Sequence, residues 1–287
     1  MRKTLDEDLT LLARSDNNIY LLVCDLGNFP LFSKEFPERF INCGIQETGM
    51  VSIAVGLASQ GKKVFLYAVA GFVLFRAHEQ LKLNVGYQNL PITLINGGAG
   101  LVYHLVGRGH YIVEDISLVR TFPNFSFCMP RDIPSFREYL NKAYTSKNPY
   151  FIRLGKDNCP DVLDSDLNVS GISGVIYTTN TCLHEVISAN KILRKHHLDF
   201  SIKCVEDLDL RRPNHLSNMT CVVVEDHIPF GGLASFLRDK NVKVHKHICL
   251  PMLVDKTTES YSEILSYYGL DAKSISESVM DYLDVSY

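Results

Sequence analysis

The chain has 287 residues, 46% of them hydrophobic and 21% charged, with a formal net charge of −3 at pH 7. That is enough chain for two ordinary domains with full cores, and it gives no electrostatic reason to expect a nucleic acid or an anionic membrane as partner. Eight cysteines, at positions 24, 43, 128, 159, 182, 204, 221 and 249, form no CxxC pair. Several lie in apolar runs where a reduced thiol acts as a small hydrophobe, so a reducing, cytoplasmic setting is expected.

The first sixteen residues, MRKTLDEDLTLLARSD, are acidic and amphipathic with no apolar leader core. No run reaches the roughly 18 apolar residues of a membrane span, so a soluble protein is expected. Leu5, Leu9 and Leu12 recur at helical spacing and predict a helix over residues 3–14, followed by a buried strand from Ile19 to Val23 that ends in the turn Asp25-Leu26-Gly27. Phe40 and Ile41 make a short strand, Gly44 a turn, and Met50, Ile53, Ala54, Leu57 and Ala58 mark the apolar face of the next helix. Gly61 stops that helix, and Val64 to Val69 is a continuous apolar run of the kind found in parallel sheets. The unit is β-α-β. Glu47 stands in the first turn of its helix in otherwise apolar company, where the dipole alone would favour an acid. Phe72 and Phe75, three apart, open the following helix.

Further along, Ile92 to Ile95 reads as a strand and NGGAG as a glycine turn, which lacks the lysine and serine of a phosphate-binding P-loop. Periodicity disappears between Lys156 and Gly174, where Asp, Asn, Ser, Gly and Pro are enriched. Beyond it come strands at Gly174 to Thr178, Phe200 to Val205 and Cys221 to Val224, with a helix from His184 to His196. This alternation predicts α/β architecture: two three-layer αβα domains with mainly parallel sheets, at 1–160 and 174–287, joined by a linker at 161–173. No repeat, low-complexity tract or coiled-coil heptad is evident. Among the ten histidines, His196-His197 point to different sides of a helix, and His245 with His247 lacks a Cys or acidic partner at a metal-binding spacing, so no metal site is expected.

Five ordered blocks carry more information than any of these features singly. GIQETGM with GLASQGKK and FxxF, then LKLNVGYQNLPITLI, GRGHYIVEDISLVRTFPNF, CMPRD and PYFIRLGKDN, together resemble the pyrimidine-binding domain of the transketolase family over about residues 1–160. VVVEDHIPFGGLASFL resembles that family's C-terminal domain, a structural and dimer-forming unit. Glu225, Asp226 and His227 are therefore expected to be turn or interface residues.

The resemblance implies thiamine diphosphate as cofactor. It implies that Glu47 bonds the aminopyrimidine ring and shares a proton with its nitrogen, that Phe75 stacks on the ring with Phe72 beside it, and that Ile45, Asp25 and His78 complete the pocket, His78 standing where the family usually has tyrosine. His110, in a GRGH segment four residues before Glu114, is implied to face the hydroxyls of a sugar-like substrate and to shuttle a proton. Arg2 and Lys156 are implied to hold the substrate's phosphate.

The departures bear on substrate. Val106 replaces a hydroxyl-binding aspartate, Gly98 a histidine and Phe29 a phosphate-binding serine, and Lys156 stands for an arginine and so loses its bidentate fork. The substrate is accordingly expected to differ from ordinary ketose phosphates. The family holds the cofactor's diphosphate through Mg²⁺ on a separate domain bearing a GDG motif and an Asn pair, and no GDG occurs here. The expectation is the C-terminal subunit of a split transketolase-like enzyme that transfers a ketol or acyl unit through the cofactor ylid. Its partner would be an N-terminal subunit carrying the diphosphate and Mg²⁺ domain, in an α2β2 heterotetramer with self-association of this chain. A 2-oxoacid dehydrogenase beta-like subunit, a deoxyxylulose-phosphate-synthase-like subunit and a noncatalytic assembly subunit remain alternatives.

Overall fold

In the computed structural model, which describes residues 2–155, 162, 167, 173–208 and 219–284, every pair of named strands runs parallel. The apolar runs require this arrangement. A strand such as IYLLV, with no polar face, is stable only where both sides of its sheet are covered by helices.

The first sheet contains β1 (Ile19–Val23), β2 (Phe40–Asn42), β3 (Lys63–Val69), β4 (Ile92–Gly97), β5 (Ser126–Cys128) and β6 (Tyr150–Arg153), in the order β2-β1-β3-β4-β6-β5. Side chains alternate along each strand. Ile19, Leu21 and Val23 therefore join Phe65 and Ile152 in one core with Leu5 and Leu9 of α1 (Arg2–Ser15), Phe32 of α2 (Pro30–Glu35) and, from the later helix Ile133–Thr145, Phe136 and Leu140. On the other side α3 (Glu47–Ser59) runs against β3 and buries Met50, Val51, Ala54 and Ala58. The helix opened by Phe72 is shorter than its sequence suggests. It is α4 (Ala70–Arg76), and the chain continues as a π-helical segment, Gln80–Tyr87.

The second sheet contains β7 (Gly174–Thr178), β8 (Phe200–Cys204), β9 (Thr220–Val224) and β10 (Lys246–Ile248), in the order β10-β9-β7-β8. Ile176, Ile202, Val222 and Val224 pack with Val186 and Leu193 of the helix Leu183–Lys195 and Ile275 and Val279 of the helix Ala272–Tyr282.

The chain divides into two compact units, Met1–Ala99 with Leu118–Pro160 and Gly100–Ser117 with Asp161–Tyr287. The sequence-based boundary near residue 160 keeps segment 100–117 with the first unit, whereas its packing is with the second. Leu101, Tyr111 and Val113 enter the second core, and the Tyr111 hydroxyl donates to the Lys256 carbonyl at 2.7 Å. Gly100 has φ +58, and a Cβ there would fall on the Asp226 carboxylate, so only glycine lets the two backbones approach. Most of the expected linker lies outside the described residues.

Candidate active site

Because the first sheet is parallel, the turns leaving β1, β2 and β3 share one edge, and β1 sits between β2 and β3 where the chain leaves in opposite directions. That is the switch point at which open α/β sheets bind ligands. Two of the turns are tied by one side chain. Asn42 Oδ1, at the end of β2, accepts the N–H of Asp25 and that of Gly44, each at 3.0 Å. Asp25 and Gly44 both have left-handed backbone, with φ 46 and 68. This fixes the approach to α3, leaving Ile45 exposed (75%) and turning Glu47 inward at 4% exposure.

The company of Glu47 is not apolar, which corrects the reading from sequence. Its Oε1 accepts a hydrogen bond from Arg76 Nη1 at 2.9 Å, with the carboxylate side chain 5% and the arginine side chain 48% exposed. The Arg76 guanidinium carbon lies 4.2 Å from the centroid of the Phe72 ring. Phe72 and Arg76 are four apart and share a face of α4, whereas Phe75 is rotated by about 100° from Arg76 and is 55% exposed. Cys24 also belongs here. Burial pushes its thiol up to about 11, the nearby Glu47 charge adds to the rise, and Arg76 opposes it. The His78 ring packs 4.8 Å from Phe122 with its Nδ1 buried and without a hydrogen-bond partner.

The remaining expected site residues are elsewhere. His110 lies in the second unit, its ring edge-on to Tyr103 at 5.7 Å and its N–H bonded to the Gly107 carbonyl at 2.9 Å. Burial raises the Glu114 carboxyl, whose Oε2 accepts the Val113 N–H at 3.0 Å. Arg2 is exposed at the start of α1, and Lys156 lies outside the described residues.

The family described as transketolase, pyrimidine binding domain, matches residues 1–161. The chain belongs to the transketolase family. One of the two subunits of the apulose-4-phosphate transketolase of Phocaeicola vulgatus is 26% identical, with 98% of this chain and 97% of that protein covered. The 1-deoxy-D-xylulose-5-phosphate synthase of Clostridium perfringens is 28% identical over 98% of this chain, which spans 49% of that protein. A solved structure described as a split gene transketolase, inactive beta4 tetramer, superimposes with a TM-score of 0.79 at 26% identity, covering 100% of this chain and 99% of that one.

Within this transketolase chain, the positions read as departures have clear physical roles. Phe29 is 1% exposed and packs edge-on to Tyr67 at 5.1 Å, so it is core. Val106 is 54% exposed, and Gly98 has φ 87. Glu225, Asp226 and His227 are fully buried. His227 Nδ1 faces the Ile228 carbonyl at 2.8 Å, which leaves Nε2 to accept from the Ser117 backbone N–H at 3.4 Å. Thr179 and Thr181 donate to Asp226 Oδ1 at 3.2 and 2.5 Å. The Glu47 pocket fits an aminopyrimidine ring in donor chemistry: a buried carboxylate acceptor beside an aromatic face, now satisfied by a planar cation. Among the described residues, no group of three or more His, Cys, Asp or Glu could hold a metal ion, and no helix is long and apolar enough to cross a membrane.

Sequence reading missed Arg76. The signal was present as the only cation on α4, four residues after Phe72.

Proposed function

We propose that this chain is the C-terminal subunit of a split thiamine-diphosphate enzyme of the transketolase family, transferring a ketol or acyl unit between sugar-like or 2-oxo substrates. The buried Glu47 carboxylate carries the reading. It stands at the start of α3 on the ligand-binding edge of a parallel sheet, where nothing in the core requires a charge. When bound, the cofactor supplies a nucleophilic thiazolium carbon and an electron sink for C–C bond cleavage. Glu47 accepts a proton from the aminopyrimidine ring nitrogen and returns it, shielded from bulk water by its burial. Phe72, Phe75 and Ile45 offer apolar surface to the ring, with Asp25 and His78 at the margin. His110 is assigned to the substrate hydroxyls, and Arg2 and Lys156 to its phosphate.

The N-terminal partner supplies the diphosphate and Mg²⁺ domain in an α2β2 assembly, with residues 1–160 holding the pyrimidine half and 174–287 serving assembly. Support comes from the relative in Phocaeicola vulgatus, itself one subunit of a transketolase, whose length this chain spans almost completely. The described cysteines are all free, in keeping with a cytoplasmic enzyme. A deoxyxylulose-phosphate-synthase-like reaction is the second reading, favoured by the similarity to that synthase over nearly all of this chain.

The purified chain alone, titrated calorimetrically with thiamine diphosphate and Mg²⁺, is expected to show weak binding or none, and addition of the partner subunit to restore it. Submicromolar binding by the chain alone would sink the split-site reading. In the reconstituted enzyme, xylulose 5-phosphate with ribose 5-phosphate is expected to be a poor substrate pair, because Phe29 is core and Val106 cannot bind a hydroxyl. Efficient turnover of that pair in a coupled assay would refute this reading of the substrate half.

A further inference from the structure

Arg76 makes two interactions at once. Its flat face lies over Phe72 at 4.2 Å, and an N–H on its edge donates to Glu47 at 2.9 Å. An aminopyrimidine is recognised by the same pair of features, a planar π face and an N–H edge presented to a carboxylate. We infer that Arg76 is a placeholder for the cofactor's aminopyrimidine ring, closing the pyrimidine subsite on Glu47 until the ring displaces it. This inference rests on the cofactor role proposed for Glu47.

The two side chains differ in freedom. Arg76 is half exposed and can swing into water while keeping its guanidinium solvated. Glu47 is enclosed and cannot follow it, so it needs a partner in every state of the pocket. In the resting chain that partner is Arg76, and in the loaded site it is the ring. Both cannot serve Glu47 well together, because a carboxylate that must take up and return a proton works against a guanidinium bonded to it. The ring therefore binds in competition with a closed conformer, and its apparent affinity is reduced by the closed fraction.

The decisive variant is Arg76→Gln. In the reconstituted subunit pair, calorimetry with thiamine diphosphate and Mg²⁺ is expected to show the variant binding about 3- to 30-fold more tightly than wild type, the usual size of a removed competing contact. Unchanged or weaker binding would make Arg76 a bystander or a permanent member of the pocket, and either result overturns the placeholder. Absence of binding by both proteins overturns the cofactor role of Glu47 and the placeholder with it. A second readout needs no cofactor. The full-length Arg76→Gln chain is expected to melt a few degrees below wild type, because the buried carboxylate loses its partner, and Glu47→Gln/Arg76→Gln to recover most of that loss. If Arg76→Gln melts with wild type, the pair is not made in solution and the inference falls.

Discussion

In the reconstituted subunit pair, Glu47→Gln is expected to slow proton exchange at the thiazolium carbon of the cofactor by about 10² to 10⁴-fold, and turnover with it, the range typical of a lost proton-transferring group. The amide keeps the shape of the side chain and can still form one hydrogen bond, but it cannot carry a proton back and forth. The competing account makes Glu47 a first-turn acid of α3 that is favoured by the helix dipole, worth roughly 0.3–1 kcal/mol. Its ion pair with Arg76 adds little, because the arginine end is half solvated. On that account the variant would melt slightly lower and exchange the proton at nearly the normal rate. Measuring melting and exchange on the same preparation separates the two accounts. Near-normal exchange in the variant would return Glu47 to a structural role and remove the enzymatic assignment.

The parts of this protein that were legible in its sequence are those governed by periodicity. The runs at Ile19–Val23 and Gly174–Thr178 are strands over the expected residues, and Leu5 and Leu9 do mark the buried face of a helix at Arg2–Ser15. A pattern of one element does not say what stands opposite it. Glu47 was read from its own helix, whereas its partner comes from α4, 29 positions later. The π-helical segment Gln80–Tyr87 has no propensity signature, since side chains do not announce an i to i+5 bonding pattern. EDH, three polar residues at a strand end, resembles a solvated turn, yet its members are fully enclosed because their partners come from distant chain segments such as Ser117 and His247. His245 and His247, considered as metal ligands, are engaged singly instead: His245 Nδ1 accepts the Cys221 N–H at 3.0 Å, and His247 meets Glu225.

That last contact leads to the second large effect. Glu225 is fully buried and holds the start of the helix Leu233–Asp239 through the N–H groups of Leu233 at 2.6 Å and Ala234 at 3.0 Å, while its Oε1 also meets His247 Nε2 at 2.7 Å. Burial would raise the Glu225 carboxyl, but these bonds hold it below its ordinary value. Burial would likewise lower the His247 imidazole, but hydrogen bonds to the Cys249 thiol and to Glu225 outweigh that and hold it up at about 9.

A histidine raised in the folded state contributes stability that is fully present below its ordinary value of 6.5 and is lost as pH rises through about 9. A difference of one pH unit between the folded and unfolded values is worth about 1.4 kcal/mol, so on the order of 3 kcal/mol is at stake, counted once for the pair. The Glu225 arm has the opposite sense: its contribution is present above 4.5 and is lost as pH falls through the lowered folded value. Glu225→Ala removes the cap and strands the imidazolium, with an expected loss of about 3–5 kcal/mol. His247→Gln is the sharper test, because it deletes the titration while leaving the helix start capped. Wild type should melt progressively lower from pH 6.5 to above pH 9, whereas His247→Gln should start lower and change less over the same interval. Groups that titrate elsewhere cancel in the difference between the two proteins. Parallel melting curves across that interval would show that the Glu225–His247 pair does not couple the second unit to pH.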